Sequence, residues 1–417
     1  MKPTQASSKL NHLIIYRNLL KDPLVQKLQT ILTGSAKEDL MYELTAGLIA
    51  QAEKLGLRDN LWQSYLVYLI ARDENVFSTT VEKNRGKIGT GLKQAVIHDL
   101  AILREFLRSD LAACGDITFI CDFSPTGTDH YQDFSAFTAL LLQPSAELAA
   151  EELAGRMIEY YTRYGCGKTA GFAAFRWDEE TGLAGIKHLD GIRLEDIVGY
   201  EYQKEVLTNN TEAFLANKPA NNVLLVGARG TGKSSSVKGL VNRYFANGLR
   251  LVEVPKFQLR HLNKIIEALR GRSQKFIVFL DDLSFEEAET EYKHLKSVIE
   301  GGVEAKPDNV LIYATSNRRH LIRESWADRA DTKGGDIHSA DSVQEKISLS
   351  DRFGITLTYP APDQNEYLRI VETLAAQHAV TLPQEELHKR ALRWEMSHSG
   401  RSGRVAQQFI KHIMANS

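Results

Sequence analysis

One eight-residue segment constrains the fold of this 417-residue chain more than any other feature. Residues 227–234 read Gly-Ala-Arg-Gly-Thr-Gly-Lys-Ser and satisfy the pattern G-x-x-x-x-G-K-S/T at every required position. The segment follows a short apolar run at 223–226, which predicts a buried parallel strand, and it opens a predicted helix. Glycines let backbone N–H groups converge on phosphate oxygens, and the helix N-terminus adds partial positive charge. The segment therefore predicts a phosphate-binding loop between a strand and a helix.

The region around this loop alternates between strand and helix patterns. Further apolar runs of the length of a buried strand occur at 251–254, 276–280 and 310–314, with helical segments between them. This alternation predicts an α/β fold, the doubly wound parallel sheet of a P-loop NTPase. After Pro360 the pattern is helical only, and the predicted helices 364–378, 384–396 and 402–415 form a small lid domain.

The N-terminal part reads as mainly helical. Apolar residues recur at three- and four-residue steps within 40–55, 92–107 and 153–164, and Gly165 suits a helix C-terminal cap. Two short apolar segments then flank 178–182, which predicts a β-hairpin. We expect four parts. A mainly helical, partner-selecting domain spans 1–165, and a β-hairpin connector spans 166–190. An α/β ATPase domain spans 191–360, and a helical lid spans 361–417.

Gly165-Cys166-Gly167-Lys168-Thr169 imitates the end of the phosphate-binding pattern. The first glycine of the pattern would fall at Thr162, and a helix rather than a strand precedes the segment. We interpret it as a helix cap and loop.

Composition excludes several classes of protein. The formal net charge of −2 argues against a generally basic nucleic-acid coat. Three cysteines without a Cys-x-x-Cys pair make a disulfide framework or a zinc site improbable. The longest apolar run near the N-terminus is residues 13–16, too short for a signal peptide or a membrane span. We expect a cytoplasmic protein with no membrane partner.

The loop and the strand at 276–280 predict an ATP site with Mg²⁺. Lys233 is long enough to reach the β- and γ-phosphates, and the Ser234 hydroxyl can ligate Mg²⁺. Asp281 directly follows the strand, and this is the position expected for an acid that holds Mg²⁺. Asp282 is a candidate to orient or deprotonate the attacking water. The alternative is that both acids only cap the following helix.

Several further motifs occur in the order found in one ATPase superfamily. They are Ala314-Thr315-Ser316-Asn317, Ser350-Asp351-Arg352-Phe353-Gly354 and Ser402-Gly403-Arg404. With residues 227–234 and 281–282, this set resembles an AAA+ ATPase over about residues 190–415. Asp281–Glu286 and Ala314–Leu321 more closely resemble a bacterial family of predicted AAA+ ATPases of unknown function.

The resemblance implies roles for individual residues. Asn317 is identified as sensor 1, Arg352 as an arginine finger that serves a neighbouring subunit, and Arg404 as sensor 2, with Arg401 as a competitor. A finger of this kind implies a homo-oligomer, a ring such as a hexamer, with shared ATP sites. The nucleotide-binding set is Val198, Gly199, Tyr200, Gly227, Gly230, Thr231, Gly232, Lys233, Ser234 and Ser235, of which the first three resemble the segment around adenine. A turn-closing Asn317 and a solvated Arg352 are the alternatives.

Two functions from different classes remain open. The first is a ring-forming ATPase that remodels an unknown protein or nucleic-acid partner. The second is a nucleotide-gated switch or loader that acts on nucleic acid with slow hydrolysis, because Asp282 is one methylene shorter than the Glu of most AAA+ motors. The basic stretch 256–275 is consistent with nucleic acid, although we favour a solvated helical face. Phe257 is the one candidate for a threading loop, and we interpret it as a packing residue.

Overall fold

The computed structural model describes residues 9–32, 38–107, 118–125, 150–187, 189–285, 291–300, 306–317, 349–398 and 400–416. The chain divides into two compact units. Unit 1 comprises Met1–Phe172, Leu183–His188 and Gly271–Gln274. Unit 2 comprises Ala173–Gly182, Leu189–Arg270 and Lys275–Ser417. The linear domain boundaries expected at 165, 190 and 360 stay predictions.

Unit 1 is mainly helical where the structure describes it, with strand residues at 183–185. Its helices are α1 (Pro23–Leu32), α2 (Glu38–Leu55), α3 (Leu61–Arg72), α4 (Val76–Lys83), α5 (Thr90–Leu107) and α6 (Ala150–Tyr164). The helices predicted at 40–55, 92–107 and 153–164 are thus α2, α5 and α6. Their apolar faces join one core, in which Trp62 packs edge-on against Phe106 at 5.0 Å. Gly165 ends α6 with φ of 81°, as the cap prediction requires.

A buried carboxylate anchors the first described segment of unit 1. Asp99 in α5 accepts hydrogen bonds from the backbone N–H groups of Ile14, Ile15 and Tyr16, with N–O distances between 2.7 and 3.0 Å. Its side chain is fully buried. Because an unpaired carboxylate would be strongly destabilising there, these three donors explain how the charge is accommodated. Asp99 therefore has a structural role.

A four-residue segment far along the chain also belongs to unit 1. The Arg272 guanidinium donates to Glu82 Oε2 at 2.9 Å, and Glu82 Oε1 accepts from the Cys166 N–H at 2.7 Å. Burial raises the pKa of the Glu82 carboxyl, and Arg272 acts in the opposite direction. One position after this segment the backbone returns to unit 2 at Lys275, the first residue of the strand Lys275–Leu280.

The strands of the structure are β1 (Ala174–Asp178), β2 (Gly182–Gly185), β3 (Val223–Gly227), β4 (Leu249–Glu253), β5 (Lys275–Leu280), β6 (Val310–Ser316) and β7 (Ile355–Tyr359). Among the described residues of unit 2, parallel pairing joins six of these strands in the order β1-β4-β5-β6-β3-β7. β3, β4, β5 and β6 confirm the predicted apolar strands. β7 was not predicted, and β1 extends the sheet beside β4.

The helices of unit 2 are α7 (Glu201–Leu215), α8 (Lys233–Tyr244), α9 (Leu262–Leu269), α10 (Glu291–Glu300), α11 (Gln364–Gln377), α12 (Gln384–Met396) and α13 (Gly403–Ala415). The last three match the predicted lid helices to within one residue at each end and share a hydrophobic core. Asp363 starts α11 because its side chain accepts from the Glu366 N–H at 2.8 Å. The described fold is the α/β sheet of a P-loop NTPase with a helical lid.

This topology places chemically useful residues at one edge of the sheet. Because β3, β5 and β6 run parallel, their carboxyl ends meet there. The loop after β3, the acids after β5 and the Asn after β6 consequently converge. No helix among the described residues is long and apolar enough to cross a bilayer. Cys121 and Cys166 are free thiols, and Cys114 lies outside the described residues.

Candidate functional site

The loop between β3 and α8 needs its glycines. Gly227 has φ of 144°, and a Cβ there would lie 1.9 Å from the Tyr359 carbonyl oxygen of β7. The Ala228 N–H donates to the same oxygen at 3.2 Å, so the loop begins in close contact with β7. Gly232 has φ of 93° and directly precedes α8. The left-handed and close-packed positions explain why side chains are excluded.

Lys233 is the first residue of α8, and its ammonium is held by the loop itself. It donates to the carbonyl oxygens of Gly227 at 2.8 Å and Ala228 at 2.6 Å. A third hydrogen bond of 3.1 Å goes to Asn317 Oδ1. Burial lowers the pKa of Lys233, whereas the carboxylates of Asp282 and Asp281 act in the opposite direction. The cation is therefore partly desolvated beside two acids.

The two acids after β5 are held by hydroxyl groups. Ser234 Oγ and Thr315 Oγ1 each donate to Asp281 Oδ1 at 2.6 Å. Thr315 Oγ1 also accepts from the Asp282 N–H at 2.9 Å. Asp282 has a left-handed backbone, with φ of 50°, and its Oδ1 accepts from Asn317 Nδ2 at 2.5 Å. These oxygens face the loop at the sheet edge.

The start of the lid helix α13 touches the phosphate-binding loop. The Arg404 N–H donates to the Gly230 carbonyl at 3.3 Å, and a Cβ on Gly230 would meet Ser402 Oγ at 2.9 Å. The Arg404 side chain is exposed and lines the cavity described below. The competitor Arg401 instead donates to Glu395 Oε2 at 2.6 Å. Of the two arginines, Arg404 lines the cavity.

The segment before α7 closes the other side. Val198 packs against the lid core, and Gly199 and Tyr200 both have left-handed backbones. The Tyr200 ring stacks on Tyr359 at 4.8 Å, and its hydroxyl donates to the Pro360 carbonyl at 2.7 Å. Burial raises the pKa of the Tyr200 phenol to about 12, so it stays protonated at neutral pH. This segment fixes β7 and the lid beside the loop.

These elements enclose one open cavity of about 620 Å³, a size that suits a nucleotide. The predicted site residues that line it are Val198, Tyr200, Gly230, Thr231, Gly232, Lys233, Ser234, Ser235, Asp281, Asp282, Asn317 and Arg404. Its lining also includes Ile192, Asp196, Ile197, Arg229, Thr315, Ile370, Leu374, Gly403 and Gln407. Gly199 and Gly227 shape the backbone without lining the cavity.

Arg352 lies apart from the cavity. It is half-buried and precedes β7, whose Ile355 pairs with Val223 at the start of β3 and whose Tyr359 pairs with Gly227 at its end. At about 3.3 Å per residue, Ile355 is about 13 Å along the strand direction from Tyr359, the residue that pairs with Gly227. Arg352 therefore precedes the end of β7 that lies farther from the phosphate-binding loop of its own chain.

One expectation about the segment after β4 needs correction. Phe257 is 70% exposed, so the interpretation as a packing residue is wrong. Local sequence gives no warning of this, because exposure depends on which elements pack nearby. In the basic stretch 256–275, Arg260 and Arg270 are exposed and pair with the exposed Glu179 and Glu267, as on a solvated face, whereas the Lys275 side chain is buried. Residues 318–321 of the resemblance lie outside the described residues.

Thr315 is a polar site residue that sequence reasoning missed. It stands in the motif Ala314–Asn317, but a threonine in an apolar strand has no feature that separates a hydrogen-bonding role from packing. Its side chain is 2% exposed and contacts both acids. Only the register of β6 beside β5 brings it there.

Comparison with known proteins gives one family and distant structural likenesses. Residues 170–417 match the model of a family described as "Protein of unknown function (DUF815)". No curated protein matches the chain. A point mutant of Thermotoga maritima RuvB is 16% identical with a TM-score of 0.38, over 54% of this chain and 65% of that one. The structure named Thermotoga maritima RuvB Holliday junction branch migration motor is 14% identical with a TM-score of 0.33, over 53% and 71%.

Proposed function

The chain belongs to the DUF815 family, and from this premise and the geometry of its cavity we propose that it binds ATP with Mg²⁺ and hydrolyses it to ADP and phosphate. One observation carries the proposal. Lys233, Asp281, Asp282, Asn317 and Arg404, which come from four separate parts of the sequence, converge on a single cavity beside a glycine-rich loop. That combination supplies cations, acids and N–H donors around one nucleotide-sized cavity.

The residues suit ATP and Mg²⁺. The glycine backbones after β3 and the N-terminus of α8 offer N–H donors for phosphate oxygens. Mg²⁺ prefers oxygen ligands and keeps several waters, so one hydroxyl and one carboxylate are a sufficient protein contribution. Ser234 and Asp281, whose oxygens lie 2.6 Å apart, are the pair that would hold it. When bound, Mg²⁺ would neutralise charge that develops on the phosphates.

Each chain group has a proposed task in hydrolysis. Lys233 exchanges its loop carbonyl partners for phosphate oxygens. Asp282 accepts a proton from the attacking water or orients it, and Asn317 positions that water because an amide both donates and accepts. Arg404 contacts the phosphates from the lid, so lid position depends on the nucleotide. Val198 and Tyr200 pack beside the base.

Arg352 supports a shared site in a head-to-tail oligomer. Arg352 precedes the end of β7 that lies farther from its own loop, and in a ring it would face the loop of a neighbour. A guanidinium there stabilises the charge of the transferred phosphoryl group. We propose a homo-oligomeric ring that couples nucleotide state to remodelling of a macromolecular partner. Unit 1 would select that partner.

A slow switch is the second candidate, and Asp282 favours it. Asp282 is shorter than Glu and is bonded to Asn317, so water activation requires that this hydrogen bond rearrange. The basic stretch 256–275 gives less support to a switch that acts on nucleic acid, because Arg260 and Arg270 are already ion-paired. Turnover that single-stranded DNA leaves unchanged would count against that version.

The direct test measures phosphate release by the full chain with Mg²⁺-ATP. Lys233→Ala should abolish turnover and weaken ATP binding, whereas Lys218→Ala, an exposed lysine after α7, should behave like wild type. Wild-type protein that neither binds ATP nor releases phosphate, in all oligomeric states separated by size, would refute the proposed function.

A further inference from the structure

We propose that Thr315 is the positioning residue of the two acids, setting the direction of the Asp281 carboxylate and the backbone of Asp282 so that Mg²⁺ and water are held correctly. This inference rests on the proposed function and deepens it. Thr315 is not itself a ligand or a base in this account; it acts through the acids on the neighbouring strand.

The contacts of Thr315 run along three consecutive residues. Its hydroxyl lies 2.6 Å from Asp281 Oδ1 and 2.9 Å from the Asp282 nitrogen. Its carbonyl accepts from the Leu283 N–H at 2.7 Å. The β5–β6 pairing ends at Leu280 and Ala314, so Thr315 continues the contact just past the end of β5.

Hydrogen-bond chemistry fixes the direction of the hydroxyl. An ionised carboxylate only accepts, so the Thr315 proton must go to Asp281 Oδ1. The Asp282 N–H only donates, so it must use a Thr315 lone pair. Because Ser234 donates to the same Asp281 oxygen, Oδ1 carries two hydroxyl donors. Deleting the Thr315 hydroxyl removes one of these constraints.

The same hydroxyl supports the unusual backbone of Asp282. A non-glycine residue with φ of 50° is uncommon and costs about 1 kcal/mol or more unless its surroundings enforce it. Thr315 supplies one such contact through the N–H of Asp282, and Asn317 supplies another through its side chain. Loss of the hydrogen bond between the Thr315 hydroxyl and the Asp282 N–H would let the Asp282 carboxylate leave the position that faces the loop.

A packing role and a positioning role predict opposite orders of variants. Thr315→Val keeps the shape of the side chain and removes the hydroxyl, whereas Thr315→Ser keeps the hydroxyl and removes a methyl group. If Thr315 only fills the interior, Val should behave like wild type and Ser should be the more damaged. If it positions the acids, the order reverses. Thr315→Ala completes a second pair with Ser that differs only in the hydroxyl.

The experiment compares these variants with wild type and with Thr356→Val, a matched control at an exposed threonine of β7. Steady-state hydrolysis gives kcat and KM. Affinity of the protein–ADP complex for Mn²⁺, followed by the electron paramagnetic resonance of free Mn²⁺, gives a readout independent of turnover. We expect Thr315→Val to lower kcat and Mn²⁺ affinity about 10- to 100-fold, as for other partners of metal ligands. ADP affinity without metal should stay unchanged, and Ser should restore both quantities.

The outcomes separate this inference from the proposed function. A wild-type protein without ATP turnover and without Mn²⁺-dependent ADP binding would overturn both. An active wild type with an equally active Thr315→Val would overturn only the role of Thr315. Equal losses in Ser and Val would also overturn it, because they would assign the effect to packing. Should Val fail to fold, the Ser and Ala pair decides, and equal Mn²⁺ affinities in those two would refute the inference.

Discussion

The Lys233 ammonium donates a hydrogen bond of 3.1 Å to the side-chain oxygen of Asn317, a residue 84 positions away. The amide nitrogen of Asn317 donates in turn to Asp282 Oδ1. Asn317 therefore connects the cation of the phosphate-binding loop to the second acid after β5. A change at Lys233 or at Asp282 should therefore affect the other residue, because one planar amide group is hydrogen-bonded to both.

This connection predicts the effect of Asn317→Ala. Without the amide, the water that Asp282 must orient loses a partner, and turnover should fall about 100-fold, as when one positioned donor is removed. ATP affinity should change far less, because the loop and Lys233 remain. Phosphate release together with titration of a fluorescent ATP analogue checks this. Asn263→Ala, on the exposed face of α9, is the control, and unchanged turnover in Asn317→Ala would contradict the assigned role.

Arg352 permits a complementation test of the shared site. Arg352→Ala and Lys233→Ala should each be inactive alone, the first for want of a finger and the second for want of a working loop. In a mixed ring, some interfaces combine an intact loop from one variant with an intact finger from the other. Turnover should therefore reappear on mixing, with a maximum near equal proportions. Restoration only of oligomer formation, with no turnover at any ratio, would count against a finger acting between subunits.

The sequence predicted those strands whose burial in the sheet is evident from their own residue pattern. β5 and β6 are apolar along their length because both faces of the sheet are covered, so the pattern and the burial agree. β7 escaped because alternate residues such as Thr356 and Thr358 are exposed at the sheet edge. An edge strand five residues long carries too little signal to separate it from a loop.

The candidate site likewise contains features that the sequence predicts and features that it does not. The phosphate-binding loop could be predicted because its chemistry demands residue types at fixed spacing. The role of Thr315 and the exposure of Phe257 depend on strand register and on distant packing, which no local window contains. With Phe257 exposed, the packing argument against a threading loop no longer holds.

The start of the loop should not tolerate even one methyl group. An Ala Cβ at Gly227 would lie 1.9 Å from a backbone oxygen of β7, which no side-chain movement can relieve. We expect Gly227→Ala to lower the free energy of unfolding by about 3 kcal/mol or more through combined strain and overpacking. Gly191→Ala is the control, because a Cβ there meets no atom within 4 Å. Urea unfolding of the full chain followed by circular dichroism measures both, and equal midpoints would contradict the steric argument.

Lys306 gives the protein a pH dependence of defined sign. Its ammonium donates to Asn222 Oδ1 at 2.9 Å, and burial lowers its pKa to about 8. The pKa in the unfolded chain is about 10.4, so between these values the unfolded state binds more protons. The free energy of unfolding should therefore rise with pH through this window, and the contribution is lost as pH falls through 8.

The variant Lys306→Met removes this titration. Relative to wild type, its free energy of unfolding should rise less steeply between pH 8 and about 9.5, a limit set below the tyrosine pKa of the unfolded chain. Asn222 Oδ1 keeps the Ile312 N–H as a donor at 2.9 Å, so the variant does not orphan it. Lys218→Met, at an exposed site, should keep the wild-type slope. Parallel curves for wild type and Lys306→Met would show that the Lys306 ammonium is not destabilised by its surroundings.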